Sequence, residues 1–159
     1  MHELDVVGVR VEMPSNQPIV LLREVGGQRY LPIYIGAVEA TAIAFAQQGV
    51  VPPRPMTHDL FKDVLDAIGV TIEQVRITEV RDNTYYAELV LSGGLEVSSR
   101  PSDSIALALR TGTPIFASDP LLDEAGVVMA EFDTEEEEDE DEVARFREFL
   151  EQVTPEDFS

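Results

Sequence analysis

The chain has no cysteine, which excludes disulfides, thiolate zinc sites and cysteine nucleophiles and leaves Asp, Glu, His and backbone oxygens as metal ligands. Any metal it uses is a hard cation or one assisted by histidine. No apolar run approaches the roughly 20 residues that a bilayer span needs, and no basic segment followed by an apolar stretch opens the chain. A cytoplasmic protein without a membrane partner is the expectation. Walker loops, dinucleotide glycine patterns, nucleophile elbows and HExxH zinc motifs are also absent. Positive charge is scarce: 11 Lys and Arg stand against 31 Asp and Glu, a formal net charge of −20. That balance opposes a simple electrostatic nucleic-acid binder, whose affinity comes mostly from basic side chains on phosphates.

The acid is unevenly placed. Residues 1–130 hold 17 acids and nine bases, whereas residues 131–159 hold 14 acids and two bases. The tail therefore supplies more than half of the net charge, and any nucleic-acid contact by the body needs a local basic site, with Arg54, Arg100 and Arg110 as donors. A length of 159 residues with 44% hydrophobic content supports one core. The expected organisation is a domain over residues 1–130, an acidic disordered linker over 131–142 and a short amphipathic helix with tail over 143–159. In the last segment Val143, Phe146, Phe149, Leu150 and Val153 recur at helical spacing, as in a device for docking on the body, a neighbouring subunit or another protein.

Alternation over residues 4–13 and 18–24 predicts two strands, and Gly26-Gly27 supplies a hairpin turn into a third over 28–35. Pro32 inside that strand suggests an edge or a bulge. A helix over 37–48 ends at Gly49. Three prolines make 50–56 a rigid linker. Thr57 then caps a helix to Ile68 with Leu60, Phe61, Val64, Leu65 and Ile68 on one face. Strands over 71–80, 84–91 and 95–99 precede a helix over 102–110 and a short strand over 114–117. The class is α+β, a mostly antiparallel sheet with three main helices. Three strands then a helix occur twice, in 3–49 and 71–112, with similar Ala-rich helices at residues 42–46 and 104–108; duplication and coincidence both account for this.

Chemistry concentrates at two Arg-Pro corners. In Arg100-Pro101-Ser102-Asp103, proline holds the residue before it extended, Ser102 can accept from first-turn N–H groups, and Asp103 sits where the helix dipole favours negative charge. A guanidinium beside a carboxylate at a helix start suits a phosphate or a metal-bound phosphate. Arg54-Pro55-Met56-Thr57-His58-Asp59 repeats the grammar. Apart from His2 at the N-terminal tip, His58 is the only histidine, so it is the body's one candidate for a neutral-pH base; its structural alternative is to pin the helix start. Glu39 and Asp103 each stand near the start of an Ala-rich helix, where the dipole alone stabilises them. Alternatively they converge with Asp59 on Mg²⁺ or Mn²⁺. Arg54 and Arg100 either clamp phosphate oxygens or pair with carboxylates and lock their corners. Tyr30, Tyr34, Tyr85 and Tyr86 offer stacking surfaces, although strand positions more often serve a sheet face.

These corners, together with Leu31-Pro32-Ile33-Tyr34-Ile35-Gly36 leading to Glu39-Ala40 and Ile43-Ala44, resemble the bifunctional nuclease family, a group of bacterial and plant domains. The resemblance covers roughly residues 3–130, with three motifs in the family's order and approximate spacing. It implies metal-assisted phosphodiester hydrolysis of DNA or RNA. In that reading His58, Asp59 and Asp103 are catalytic, Arg54, Arg100 and Ser102 hold substrate, and Glu39, Asp59 and Asp103 hold Mg²⁺ or Mn²⁺. The acidic charge keeps a second expectation open, a non-catalytic oligomeric module with a partner-binding tail. A homo-oligomer, by symmetry a dimer, is expected because the hairpin strands and the small-residue helix face at Ala40 and Ala44 leave apolar surface.

Overall fold

In a computed structural model, residues 1–128 are described; the acidic linker and the helix expected beyond it lie outside the described residues. In chain order the elements are β1 (His2–Glu12), β2 (Gln17–Glu24), β3 (Arg29–Tyr34), α1 (Ala37–Gln48), α2 (Thr57–Ala67), β4 (Ile72–Arg81), β5 (Thr84–Leu91), β6 (Glu96–Ser99), α3 (Pro101–Thr111), β7 (Ile115–Ala117), α4 (Asp119–Ala125) and β8 (Val127–Val128). The strands form one eight-stranded sheet in the order β6-β5-β4-β7-β1-β2-β3-β8. Every pairing is antiparallel except that of β4 with β7. The fold is α+β, as the order of elements implies.

Two meanders, β1-β2-β3 and β4-β5-β6, flank β7 in the sheet, and each leads into a helix: directly into α3 after β6, and into α1 after β3. Gly26, at φ 73°, makes the left-handed turn between β2 and β3 that a side chain would strain. Register places Leu22 opposite Leu31 and Val20 opposite Ile33, and all four are buried. Each such fully buried aliphatic side chain contributes about 2 kcal/mol of transfer free energy. Pro32 pairs across to Leu21, while β8 covers only Arg29 and Tyr30. Beyond that short cover β3 is an edge among the described residues, which accommodates a residue without an N–H.

The helices α1 and α3 pack against each other, with α1 on β1 and β2, α3 on β4 and β5, and α2 leaning on α3. Ala40 and Ala44 are buried within the domain, so the small-residue face of α1 is used internally rather than left for a second subunit. Among the described residues the largest group of exposed apolar side chains on or just after one helix is that of α2. Of the five residues expected to face the core from this segment, only Leu65 is buried, while Leu60, Phe61, Val64 and Ile68 are exposed.

Three local expectations are corrected. Met56 and Arg100, not Thr57 and Ser102, occupy the N-cap positions of α2 and α3; Pro101 takes the first helical position, where its missing N–H costs nothing, and this shifts Ser102 one residue inside. The helix α4 and strand β8 are additional. At seven residues α4 is too short to show a periodic apolar face, yet its start obeys the usual rule, since Ser118 Oγ accepts from Leu121 N–H at 3.3 Å.

Candidate functional site

The N-terminal turns of α2 and α3 meet near the start of α1, and this juxtaposition follows from helix packing on one sheet. His58, in the first turn of α2, reaches Asp103 in the first turn of α3, with Nε2 and Oδ1 2.9 Å apart. A carboxylate can only accept, so neutral His58 carries its proton on Nε2 and leaves the Nδ1 lone pair as the basic site. Arg100, the N-cap of α3, donates from Nε to Asp103 Oδ2 at 2.8 Å and from Nη2 to Asp103 Oδ1 at 3.1 Å. Its Nη1 donates to Glu39 Oε1, in the first turn of α1, at 2.9 Å.

Three of the five guanidinium N–H groups are thereby committed, and two remain on a side chain that is 63% exposed. Burial raises the Asp103 pKa, but the hydrogen bonds from Arg100 and His58 outweigh it and hold the carboxyl below its ordinary value. The hydrogen bonds it donates to Asp103, then to Glu39, push the Arg100 pKa upward, so it stays cationic. Glu39 folds back over Gly36: a Cβ there would lie 2.2 Å from Glu39 Oε2.

Beside this cluster opens a cleft of about 580 Å³. Its lining includes the polar side chains of Glu39, His58, Arg100 and Asp103 and the apolar ones of Val38, Phe61 and Val97. These three come from α1, α2 and β6 and are exposed. Sequence reasoning missed them as site residues; for Phe61 the available signal was its position three residues after His58, on the adjacent turn of the helix.

The other expected site residues go elsewhere. Asp59 uses Oδ1 to accept from Arg110 Nε at 2.6 Å and Oδ2 to accept from the Met56 N–H at 3.1 Å, and it is absent from the cleft lining. Arg110, nearly buried, also donates to the carbonyls of Ala106 and Ala42. It is a clamp between helices, not a free donor for phosphate. Ser102 is buried and Arg54 is exposed in the linker; both lie outside the cleft lining.

The expected three-carboxylate metal site is therefore not assembled. Asp59 is tied to Arg110, and the guanidinium of Arg100 occupies the oxygens that Glu39 and Asp103 direct toward each other. Among the described residues no three of His, Asp and Glu gather around a common position suited to a cation. In this arrangement oxygens of Glu39 and Asp103 accept from the Arg100 guanidinium.

The described residues form an α+β domain in which a His–Asp pair and a carboxylate-anchored arginine line one cleft. Residues 20–130 match the bifunctional nuclease domain, and the chain belongs to that family. It is 51% identical, over 99% of its length and 98% of theirs, to proteins from two strains of Mycobacterium tuberculosis described as uncharacterized. Over 65% of its length it is 34% identical to bifunctional nuclease 2 of Arabidopsis thaliana, and over 69% it is 30% identical to bifunctional nuclease 1 of Oryza sativa subsp. indica. The matched region spans about a third of those plant proteins. No helix among the described residues is long and apolar enough to cross a membrane.

Proposed function

We propose that this domain hydrolyses phosphodiester bonds in DNA or RNA. The observation that carries the reading is the His58–Asp103 contact beside a half-committed Arg100, in a chain whose plant relatives are bifunctional nucleases. Asp103 fixes the imidazole tautomer, and His58 Nδ1 takes a proton from water as the hydroxide oxygen bonds to phosphorus. The bond to the leaving oxygen breaks, and that oxygen takes up a proton. The two free N–H groups of Arg100 meet the non-bridging oxygens, where charge grows in the transition state.

With His58 neutral, Glu39, Asp103 and Arg100 together carry one net negative charge, which opposes a polyanion and makes slow, sequence-tolerant cleavage the expectation. Purified protein is incubated with single-stranded DNA and RNA in Mg²⁺, in Mn²⁺ and in EDTA, so that metal dependence is measured directly. Cleavage by the wild type that is lost in Asp103→Ala supports the reading. Equal cleavage by both proteins overturns it.

A second reading, a non-catalytic oligomeric module acting in the cytoplasm with a partner on its acidic tail, is favoured by the exposed stripe of Leu60, Phe61, Val64 and Ile68 on α2. Light scattering decides its oligomeric part: a dimer mass that falls to that of a monomer in Leu60→Glu/Ile68→Glu supports it, and a monomeric wild type removes it.

A further inference from the structure

We infer that the cleft takes one nucleotide unit, at a strand end or in a nucleotide-sized phosphodiester, with its base on Phe61 and its phosphate on Arg100. This rests on the phosphodiesterase reading for the phosphate position and adds the class of substrate. The cleft lining is mixed: Arg100 and hydrogen-bonding side chains share it with Val38, Phe61 and Val97. Phe61 is 45% exposed and Val97 46% exposed, so flat apolar surface faces solvent next to the only arginine of the lining. A simple anion leaves that surface wet, whereas a nucleobase covers it by stacking. Thr57 and Ser98 also line the cleft, and their hydroxyls supply polar groups for a sugar or a base edge, whereas that of Ser99 is engaged by the Arg100 carbonyl and by Ser104.

Charge sets the upper limit on size. A long strand gains affinity by neutralising many phosphates, but residues 1–130 hold nearly twice as many acids as bases. Arg110 is bound to Asp59 and to backbone carbonyls, and Arg76 bridges Glu88 and Glu96. Among the described residues Arg100 is the only Arg or Lys of the cleft lining. A site with one cationic contact and one apolar shelf reads a single nucleotide and does not track a backbone.

The test measures binding of inorganic phosphate, AMP and a 20-nucleotide single strand to the full chain by calorimetry, across a salt series, with wild type, Phe61→Ala and Phe61→Tyr. AMP is expected to bind about tenfold more tightly than phosphate, the advantage of one stacked base. Phe61→Ala should remove most of that ratio and Phe61→Tyr should keep it. The strand should show a log–log salt slope of about −0.7, as for one phosphate contact on a single strand. Equal affinity for AMP and phosphate, a ratio indifferent to Phe61→Ala, or a slope of several units overturns the inference. If DNA or RNA is cleaved while AMP binds no better than phosphate, the inference fails and the nuclease reading stands. If AMP shows the expected preference while nothing is cleaved, the nuclease reading fails and the nucleotide site stands.

Discussion

His58 Nε2 and Asp103 Oδ1 lie 2.9 Å apart across the contact of α2 with α3, although 45 residues separate them in sequence. The same Asp103 also accepts two hydrogen bonds from Arg100, so one carboxylate orients both the base and the cation of the site. Its removal should therefore cost more than the loss of either partner's contact alone, because both lose their reference position.

Replacing His58 by Ala should lower kcat by about 10²-fold to 10⁴-fold with little change in KM, the range for loss of a positioned general base. Initial rates check this, and a kcat in His58→Ala within about twofold of the wild type, a difference in ΔG‡ of about 0.4 kcal/mol, would place the base elsewhere.

Asp103 also makes stability depend on acidity. Its folded pKa lies below the ordinary value near 3.8, so the unfolded chain binds its proton first as pH falls. The stabilisation from its bonds to Arg100 and His58 is fully present above that ordinary value. It is lost as pH drops through the lower, folded value. Urea midpoints at pH 7 and pH 3 should differ less in Asp103→Asn than in the wild type, and an identical pH response in the two proteins would contradict the assignment.

Much of the scaffold was legible because its rules are local. The hairpin turn at Gly26-Gly27, the end of α1 at Gly49 in left-handed conformation and the strand over residues 84–91 each depend on a few neighbouring residues. The site was legible only in part. His58, Asp103, Arg100 and Glu39 share a cluster, but nothing near Asp59 in sequence reveals that Arg110, 51 residues later, takes its carboxylate. Nor does the apolar face of α2 reveal how little of itself it buries, since that depends on the angle at which α2 leans on α3.

Gly36 tests the anchoring of Arg100 from a distance. A Cβ at this position would collide with the end of the Glu39 side chain, which is flexible enough to swing away, so Gly36→Ala should fold while breaking the bond from Arg100 Nη1 to Glu39. With one of its anchors gone, the guanidinium should hold phosphate less well, raising KM about fivefold, the worth of one hydrogen bond. Glu39→Gln, which keeps an acceptor oxygen, should show a smaller rise. An unchanged KM in both variants would mean that Glu39 does not position Arg100.

Asp59 and Asp103 make the sharpest comparison, because the two acids occupy the same place in the first turn of their helices and serve different ends. The Arg110 side chain is only 9% exposed, and it binds Asp59 at 2.6 Å as well as the carbonyls of Ala42 and Ala106. It thereby fastens α1, α2 and α3 to one another. Removing one partner of such a pair leaves a mostly buried charge uncompensated, so Arg110→Ala should destabilise the domain by about 3 kcal/mol. Asp59→Asn should lower the melting temperature while leaving kcat within about twofold, a change in ΔG‡ of about 0.4 kcal/mol. Asp103→Asn should do the reverse, depressing kcat far more than stability at neutral pH. Thermal melts and initial rates on the same preparations separate the two roles. A large loss of kcat in Asp59→Asn at unchanged melting temperature would return Asp59 to the catalytic set and reassign Arg110 from clamp to site.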